Sequence, residues 1–194
     1  MSTSSKIQAA RELFSKAIAY AGKGLSRKEL TVYDEIEKKY SNENEQALQQ
    51  LLFKVLINKG VTLGQQGKMG QAIAVLDRGL SRFTASDEPR IKQQVAVAMV
   101  NKGIVLGRQG KADAAIATYD EIVARFGSSE VLEIRQQVAR SLVNKAAVLA
   151  RQARKQEANS VYNDVQQRFG SEENPEIKQQ VATAVFQKGF SHHF

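Results

Sequence analysis

Three asparagines, Asn58, Asn101 and Asn144, recur at a fixed interval of 43 residues. Glutamine or arginine stands seven residues to either side in most copies, and seven residues are two helical turns, so each set shares one helix face. Amide side chains offer donors and acceptors that match a peptide backbone, and arginine can bind carboxylate or phosphate with two parallel hydrogen bonds. The pattern predicts a strip for an extended acidic or phosphorylated peptide, formed by these candidates: Lys54, Asn58, Gln65, Gln94, Asn101, Arg108, Gln137, Arg140, Asn144, Arg151 and Gln180.

The charges are distributed unevenly along the chain. Four segments carry fifteen Lys and Arg residues and no carboxylate: 49–68, 92–111, 135–155 and 178–194. With a net charge of +8, anionic partners are favoured. The alternative interpretation is that these cations bind no ligand and only keep exposed helix faces solvated, which would give the same pattern. RNA or single-stranded nucleic acid is the alternative partner, although the strip lacks aromatic residues on which bases could stack.

The 43-residue interval belongs to an internal repeat. Residues 58–83 and 101–126 share 14 of 26 positions without a gap, and the register extends to most of the chain. Apolar residues recur at helical spacing, with a break at Gly110 that can end a helix in the left-handed conformation. The pattern predicts an all-α solenoid of nine helices, arranged as four antiparallel pairs and one unpaired helix. We expect a single domain, 1–194, with repeats at 6–41, 45–84, 88–127 and 131–170 and a capping helix at 174–190.

Within each repeat, a small residue on the first helix is followed by leucine, as in Gly103 and Leu106, and a glycine such as Gly110 makes the turn. The second helix carries Ala115 and then Tyr119. This order of small and large residues resembles the tetratricopeptide repeat family over about residues 10 to 190. The resemblance implies a right-handed superhelix whose first helices line the concave face, and a protein-interaction scaffold.

The sequence departs from that family in several positions. The period is 43 rather than 34 residues, as in long bacterial variants of the repeat, and Met99 occupies the usual tryptophan position. Some family members bind a C-terminal carboxylate with paired asparagines. Here Val61, Ile104 and Ala147 stand where a second asparagine is needed, so that clamp is not predicted.

Three further patterns have a functional and a structural interpretation. The lysines Lys16, Lys59, Lys102, Lys145 and Lys188 lie near the core stripe, so their stems are predicted to cover apolar surface. Adjacent His192 and His193 lack a third ligand nearby, and no metal site is predicted. The aromatic residues Phe186, Phe190 and Phe194 are predicted to cap the core, and they mediate a homodimer if they stay exposed.

Composition excludes several classes of function. Without cysteine, there is no disulfide, thiolate metal site or cysteine nucleophile. The sequence shows no signal peptide and no apolar stretch that could cross a membrane, which predicts a cytoplasmic protein without membrane contact. No phosphate-binding loop or catalytic cluster was found, so the chain is predicted to be no enzyme and to need no cofactor or metal.

Overall fold

The computed structural model describes residues 2–191, with side chains as far as residue 189. His192, His193 and Phe194 therefore lie outside the described residues, as does the side chain of Phe190. The described part contains nine helices and no strand: α1 Thr3–Gly22, α2 Ser26–Tyr40, α3 Gln46–Gln65, α4 Met69–Phe83, α5 Pro89–Arg108, α6 Ala112–Phe126, α7 Leu132–Arg151, α8 Lys155–Phe169 and α9 Pro175–Ser191. The predicted all-α repeat fold is confirmed.

The chain forms two compact units, Met1–Val95 and Ala96–Phe194, and α5 contributes to both. In the first unit, α1 packs against α2 and α3, and α3 packs against α4. In the second unit, α7 packs against α6 and α8, and α9 packs against α7 and α8. Each unit therefore buries the apolar stripe of one helix pair against the next, which a single pair cannot do.

The turn inside each pair has one residue in the left-handed conformation. These residues are Gly24, Gly67, Gly110 and Ala153, with φ of 68°, 76°, 82° and 60°. After Gly110, the amide of Lys111 donates to the carbonyl of Leu106 at 3.0 Å, and the other three turns repeat this bond. Such a six-residue closure satisfies a carbonyl at the helix end. The predicted role of Gly110 is confirmed.

The second helix of a pair ends without a left-handed residue, and the next helix begins with its own signal. Gly127 and Gly170 follow α6 and α8 in right-handed conformation. Pro175 is the first residue of α9, where its missing N–H costs no hydrogen bond. The Oδ1 of Asn174 accepts from the amides of Glu176 at 3.1 Å and Ile177 at 3.2 Å. Local sequence therefore specifies these helix starts.

Glycines on both helices of a pair let the two helices approach closely. A Cβ built on Gly60 would lie 2.7 Å from Cγ of Leu76, and one built on Gly79 would lie 3.0 Å from Cε2 of Phe53. The rings of Phe53 and Phe83 stack with centroids 4.6 Å apart. Thus α4 covers a defined stripe of α3. Interlocking of small and large residues sets the separation of the paired helices.

Candidate functional site

A cavity of about 430 Å³ lies within the second unit, between the C-terminal half of α5 and helices α6, α7 and α9. Three arginines of the predicted strip line it: Arg108 from α5, and Arg140 and Arg151 from α7. We call this cavity the arginine pocket, and its lining consists of Ile104, Gly107, Arg108, Tyr119, Arg140, Val143, Asn144, Val148, Arg151, Gln180 and Thr183. The predicted strip is thus assembled in part, with five of its eleven residues in one concave site.

The three arginines differ from Lys92 of α5 and from Arg135 and Lys145 of α7, which form ion pairs. Among the described residues, no carboxylate forms an ion pair with Arg108, Arg140 or Arg151. Like charges that share one concave site repel each other, and a polar anion relieves that repulsion while accepting several charge-assisted hydrogen bonds. The arrangement therefore favours a bound anion.

Backbone contacts orient one of the three guanidinium groups. Nε of Arg151 donates to the carbonyl of Ala147 at 3.3 Å, one turn earlier on α7. On the facing side, Gly107 of α5 has no side chain that would crowd this guanidinium. A Cβ added to Gly107 would lie 3.9 Å from a terminal nitrogen of Arg151. The remaining N–H groups of this guanidinium are available to a ligand.

A tyrosine hydroxyl and two amide side chains add neutral donors to the arginine pocket, and a threonine adds an acceptor. Burial raises the pKa of Tyr119 far above its ordinary value, although Arg140 and Arg151 act in the opposite direction. The phenol therefore stays protonated throughout the physiological range. Asn144, Gln180 and Thr183 complete the polar lining. Of these, Thr183 already donates its hydroxyl proton to the carbonyl of Gln179 at 2.8 Å and keeps only acceptor capacity.

Two predicted residues of the second unit lie outside the arginine pocket. Asn101 is half-buried on α5 and does not line the cavity. Gln137 lies one turn before Arg140, and its side-chain oxygen is buried without a hydrogen-bond partner among the described residues. Neither residue contributes to the assembled site.

The remaining predicted residues belong to the first unit. Lys54 and Gln65 are exposed on α3, and Asn58 is half-buried beside the buried hydroxyl of Tyr33. Gln94 departs from the expected open face, since it is only 8% exposed. Seven-residue spacing places a residue on a helix face, but neighbouring helices decide whether that face meets solvent.

The four segments that carry fifteen cations and no carboxylate do not form a uniformly basic surface. Carboxylates from neighbouring elements form ion pairs with many of these cations. Lys59 pairs with Asp34 at 2.6 Å and also with Glu37, both on α2. Lys145 pairs with Asp120 on α6 at 2.5 Å. Among the described residues, at least six of the fifteen cations have such partners: Lys59, Lys92, Arg135, Lys145, Arg154 and Lys178.

Two of the lysines that recur every 43 residues connect successive helix pairs. The side chains of Lys59 and Lys145 are 15% and 20% exposed, and each reaches the second helix of the preceding pair. Burial opposes protonation of Lys59, but hydrogen bonds with Asp34 and Glu37 outweigh it and raise its pKa. The predicted structural role of these two lysines thus includes an ion pair as well as apolar cover.

Sequence reasoning missed part of the lining. Ile104, Val143 and Val148 form apolar wall, and Gly107 provides space opposite Arg151. These residues follow the ordinary apolar pattern of the repeat, so nothing in the sequence distinguished them. Tyr119 was noted only as the large residue of the second helix.

A larger cavity of about 520 Å³ lies in the first unit, between α1 and the end of α2. Lys6 and Glu43, on its rim, form an ion pair at 2.7 Å. Lys39, also on the rim, pairs with Glu35 at 2.5 Å. Because Lys6, Lys39 and Glu43 are already paired, this cavity has less unmatched charge to offer an ionic ligand than the arginine pocket.

Stacked helix pairs with a concave polar site define a class of helical-repeat binding proteins. A family model described as "Tetratricopeptide repeat" matches residues 97–129, which span the end of α5 and all of α6. This match supports the resemblance to the tetratricopeptide repeat that the sequence predicted, and it supports a role in protein–protein interaction. A search among curated proteins gave no match.

Other site types find no support in the described part of the chain. No described group of three or more His, Asp or Glu residues could hold a metal ion. No helix that the structure describes is both long and apolar enough to span a bilayer.

Proposed function

We propose that this protein is a cytoplasmic interaction scaffold that binds an extended acidic or phosphorylated peptide segment in the arginine pocket. The observation that carries this function is the convergence of Arg108, Arg140 and Arg151 in one cavity without an acidic partner among the described residues. Elsewhere, Lys59 on α3 and Lys145 on α7 are matched by carboxylates from neighbouring helices. A concave site with unmatched positive charge is suited to an anionic side chain.

The neutral donors suit a peptide better than a small anion alone. Asn144 and Gln180 carry both donors and acceptors, which match the alternating N–H and C=O groups of an extended chain. The arginines then bind an acidic side chain of that segment. A phosphate group offers more acceptor oxygens and more charge than a carboxylate, so phosphorylation is expected to increase the affinity.

Differences between repeats support binding rather than mere solvation. The position of Arg108 and Arg151 holds Gln65 in the first unit. The position of Arg140 holds Lys54 in the first unit and Val97 on α5. Solvation alone would be served equally well by glutamine, lysine or arginine at these positions. Arginine is concentrated where the cavity forms, which favours a specific ligand.

The direct test is titration of a labelled acidic peptide, unphosphorylated and phosphorylated, against wild type and the variant Arg140→Glu/Arg151→Glu. We expect at least a tenfold loss of affinity, because two attractive contacts become repulsive. The matched control is Lys155→Glu, which reverses an exposed charge in the same unit, on α8, outside the pocket. Equal binding by wild type and the double variant would overturn the proposal.

Nucleic acid is the competing outcome of the same experiment. The ring of Tyr119 is only 1% exposed, so the arginine pocket presents no stacking surface for a base. We therefore expect oligonucleotides to bind weakly and with a steep salt dependence. If single-stranded oligonucleotides bind tightly and the double variant loses that binding, the ligand of the arginine pocket is nucleic acid and not a peptide.

A further inference from the structure

The arginine pocket is elongated, because two of its arginines lie far apart on one face of α7. Arg140 and Arg151 are eleven residues apart, which is about three helical turns and about 16 Å along the axis. Arg151 reaches back, since its Nε donates to the carbonyl of Ala147 at 3.3 Å. Ala147 lies about 10 Å beyond Arg140, and helical side chains lean towards the N-terminus, so Arg140 does not lean forward to meet it. The two guanidinium groups are therefore about 10 to 16 Å apart.

Arg108 of α5 joins Arg151 at one end of the pocket. The two residues occupy equivalent positions, 43 residues apart, and each is the last residue of its helix. The helices are in contact there, since a Cβ added to Gly107 would lie 3.4 Å from Cγ2 of Val148 and 3.9 Å from a terminal nitrogen of Arg151. Gly107 directly precedes Arg108, so Arg151 reaches α5 beside Arg108. Two arginines together match a phosphate monoester, which carries up to about two negative charges at neutral pH.

The other end of the pocket has a single arginine, Arg140, and neutral residues of α9. Thr183 stands at the position equivalent to Arg140, 43 residues later, and Gln180 lies one turn before Thr183. The hydroxyl of Thr183 donates to the carbonyl of Gln179 at 2.8 Å. The amide of Gln180 is therefore the neutral donor at this end. One cation and one amide donor match a carboxylate.

Between the two ends, the lining is uncharged. Asn144 lies one turn beyond Arg140 and seven residues before Arg151. Burial raises the pKa of Tyr119, and Arg140 and Arg151 both act against that rise, so its hydroxyl is within electrostatic reach of both ends. The middle of the pocket therefore suits peptide backbone and uncharged side chains. Its apolar walls are Ile104, Val143 and Val148.

We infer that the pocket binds a peptide with two anionic residues four positions apart, a phosphorylated one at Arg108 and Arg151 and a carboxylate at Arg140. This inference rests on the proposed function and specifies its ligand. An extended chain rises about 3.3 Å per residue, so four residues cover about 13 Å, which fits the separation of the two ends. Residues four apart also point to the same side of the chain, whereas residues three apart point to opposite sides. The charges of ligand and pocket then balance at both ends.

Fluorescence anisotropy with a series of labelled peptides tests the spacing. Each peptide has capped ends, one phosphoserine and one glutamate in an otherwise uncharged sequence. Only the distance between these two residues changes, from two to six positions in either chain direction. Every peptide has the same net charge, so non-specific attraction to the basic chain is constant. We expect binding at least tenfold tighter at a spacing of four than at two, three or six.

Glutamine variants of the arginines assign each anion to one end of the pocket. In Arg140→Gln, replacing the glutamate of the spacing-four peptide by glutamine should change the affinity by less than about twofold, whereas removing the phosphate should still cost at least tenfold. In Arg108→Gln/Arg151→Gln, the loss of the phosphate should become the small effect and the loss of the glutamate the large one. The matched control Arg90→Gln changes an exposed arginine at the start of α5, outside the pocket, and should bind like wild type.

The possible results separate this inference from the function on which it rests. Equal affinity at every spacing, or a best spacing other than four, would exclude the two-ended arrangement and leave an anion-binding scaffold. Equal loss of both contributions in each arginine variant would show a single shared anion site instead. If no peptide of the series binds, the scaffold function is overturned as well. Circular dichroism of each variant establishes that it remains folded.

Discussion

Tyr119 of α6 packs directly against Gly103 of α5, so closely that a Cβ on Gly103 would lie 2.5 Å from Cε1 of the ring. The tyrosine is fully buried and also forms part of the arginine pocket. One contact between a small and a large residue therefore positions both the helix pair and a wall of the proposed binding site.

The Gly103→Ala variant should be destabilised, because the rigid ring of Tyr119 must move to admit the new methyl group. Overpacking of this kind costs about 1–3 kcal/mol. Chemical denaturation measures the loss. Gly70→Ala is the control, since an added Cβ there meets nothing within 4 Å. A helical alanine should leave stability unchanged or raise it by about 0.5 kcal/mol. Equal stability of both variants would contradict the packing argument.

The Ala153→Gly variant should be more stable than wild type. Ala153 has φ of 60°, where the other three turns inside the pairs have glycine. A side chain in this conformation costs roughly 1 kcal/mol, partly offset by the greater freedom of glycine in the unfolded chain. We expect a gain of about 0.5 kcal/mol in the free energy of unfolding. The reciprocal change, Gly110→Ala, should lower it by about 1 kcal/mol. A loss of stability in Ala153→Gly would show that the turn is unstrained.

Alkaline pH should destabilise the first unit through Tyr33. Burial raises the pKa of this tyrosine from 10.0 to about 12; Asn58 lowers it, and Glu29 adds to the rise. The folded state therefore keeps the proton that the unfolded state loses. This contribution is fully present below pH 10, and it is lost as the pH rises towards 12, at up to about 1.4 kcal/mol per pH unit. Denaturation of Tyr33→Phe between pH 9 and 12 should show a shallower decline, and parallel profiles would contradict the assignment.

Binding of a phosphorylated peptide should strengthen between pH 5 and 7.5. The second phosphate proton dissociates near pH 6, whereas arginine remains charged throughout. A peptide with glutamate in place of the phosphorylated residue is the control, since its carboxylate is already ionised above pH 5. Fluorescence anisotropy at constant ionic strength measures both. An identical pH profile for the two peptides would show that the phosphate does not contact the three arginines.

Helix boundaries and turns could be predicted because they depend on neighbours in sequence. Gly110 ends α5 in the left-handed conformation, and Pro175 starts α9, for reasons that act within one helical turn. Internal repetition strengthened each prediction, since one pattern was read several times. The small–large order that resembles the tetratricopeptide repeat was recognised for the same reason.

The candidate site could be predicted only in part. Arg108, Arg140 and Arg151 were identified from their positions on helix faces, and the structure places them in one cavity. Gln94 was assigned to the same face, yet it is buried. Lys59 was counted among the fifteen cations of the segments without a carboxylate, yet it pairs with Asp34, which is 25 residues earlier in the chain.

The sequence by itself determined the helices, the turns between them and the periodic face that carries amides and cations, because these follow from local conformational preference and a repeated spacing. The tertiary structure alone decided which cations meet carboxylates, which amides meet solvent and where a concave site forms. These properties arise where side chains from helices distant in sequence come together. Their free energy depends on desolvation and pairing at that meeting point, which no single helix contains.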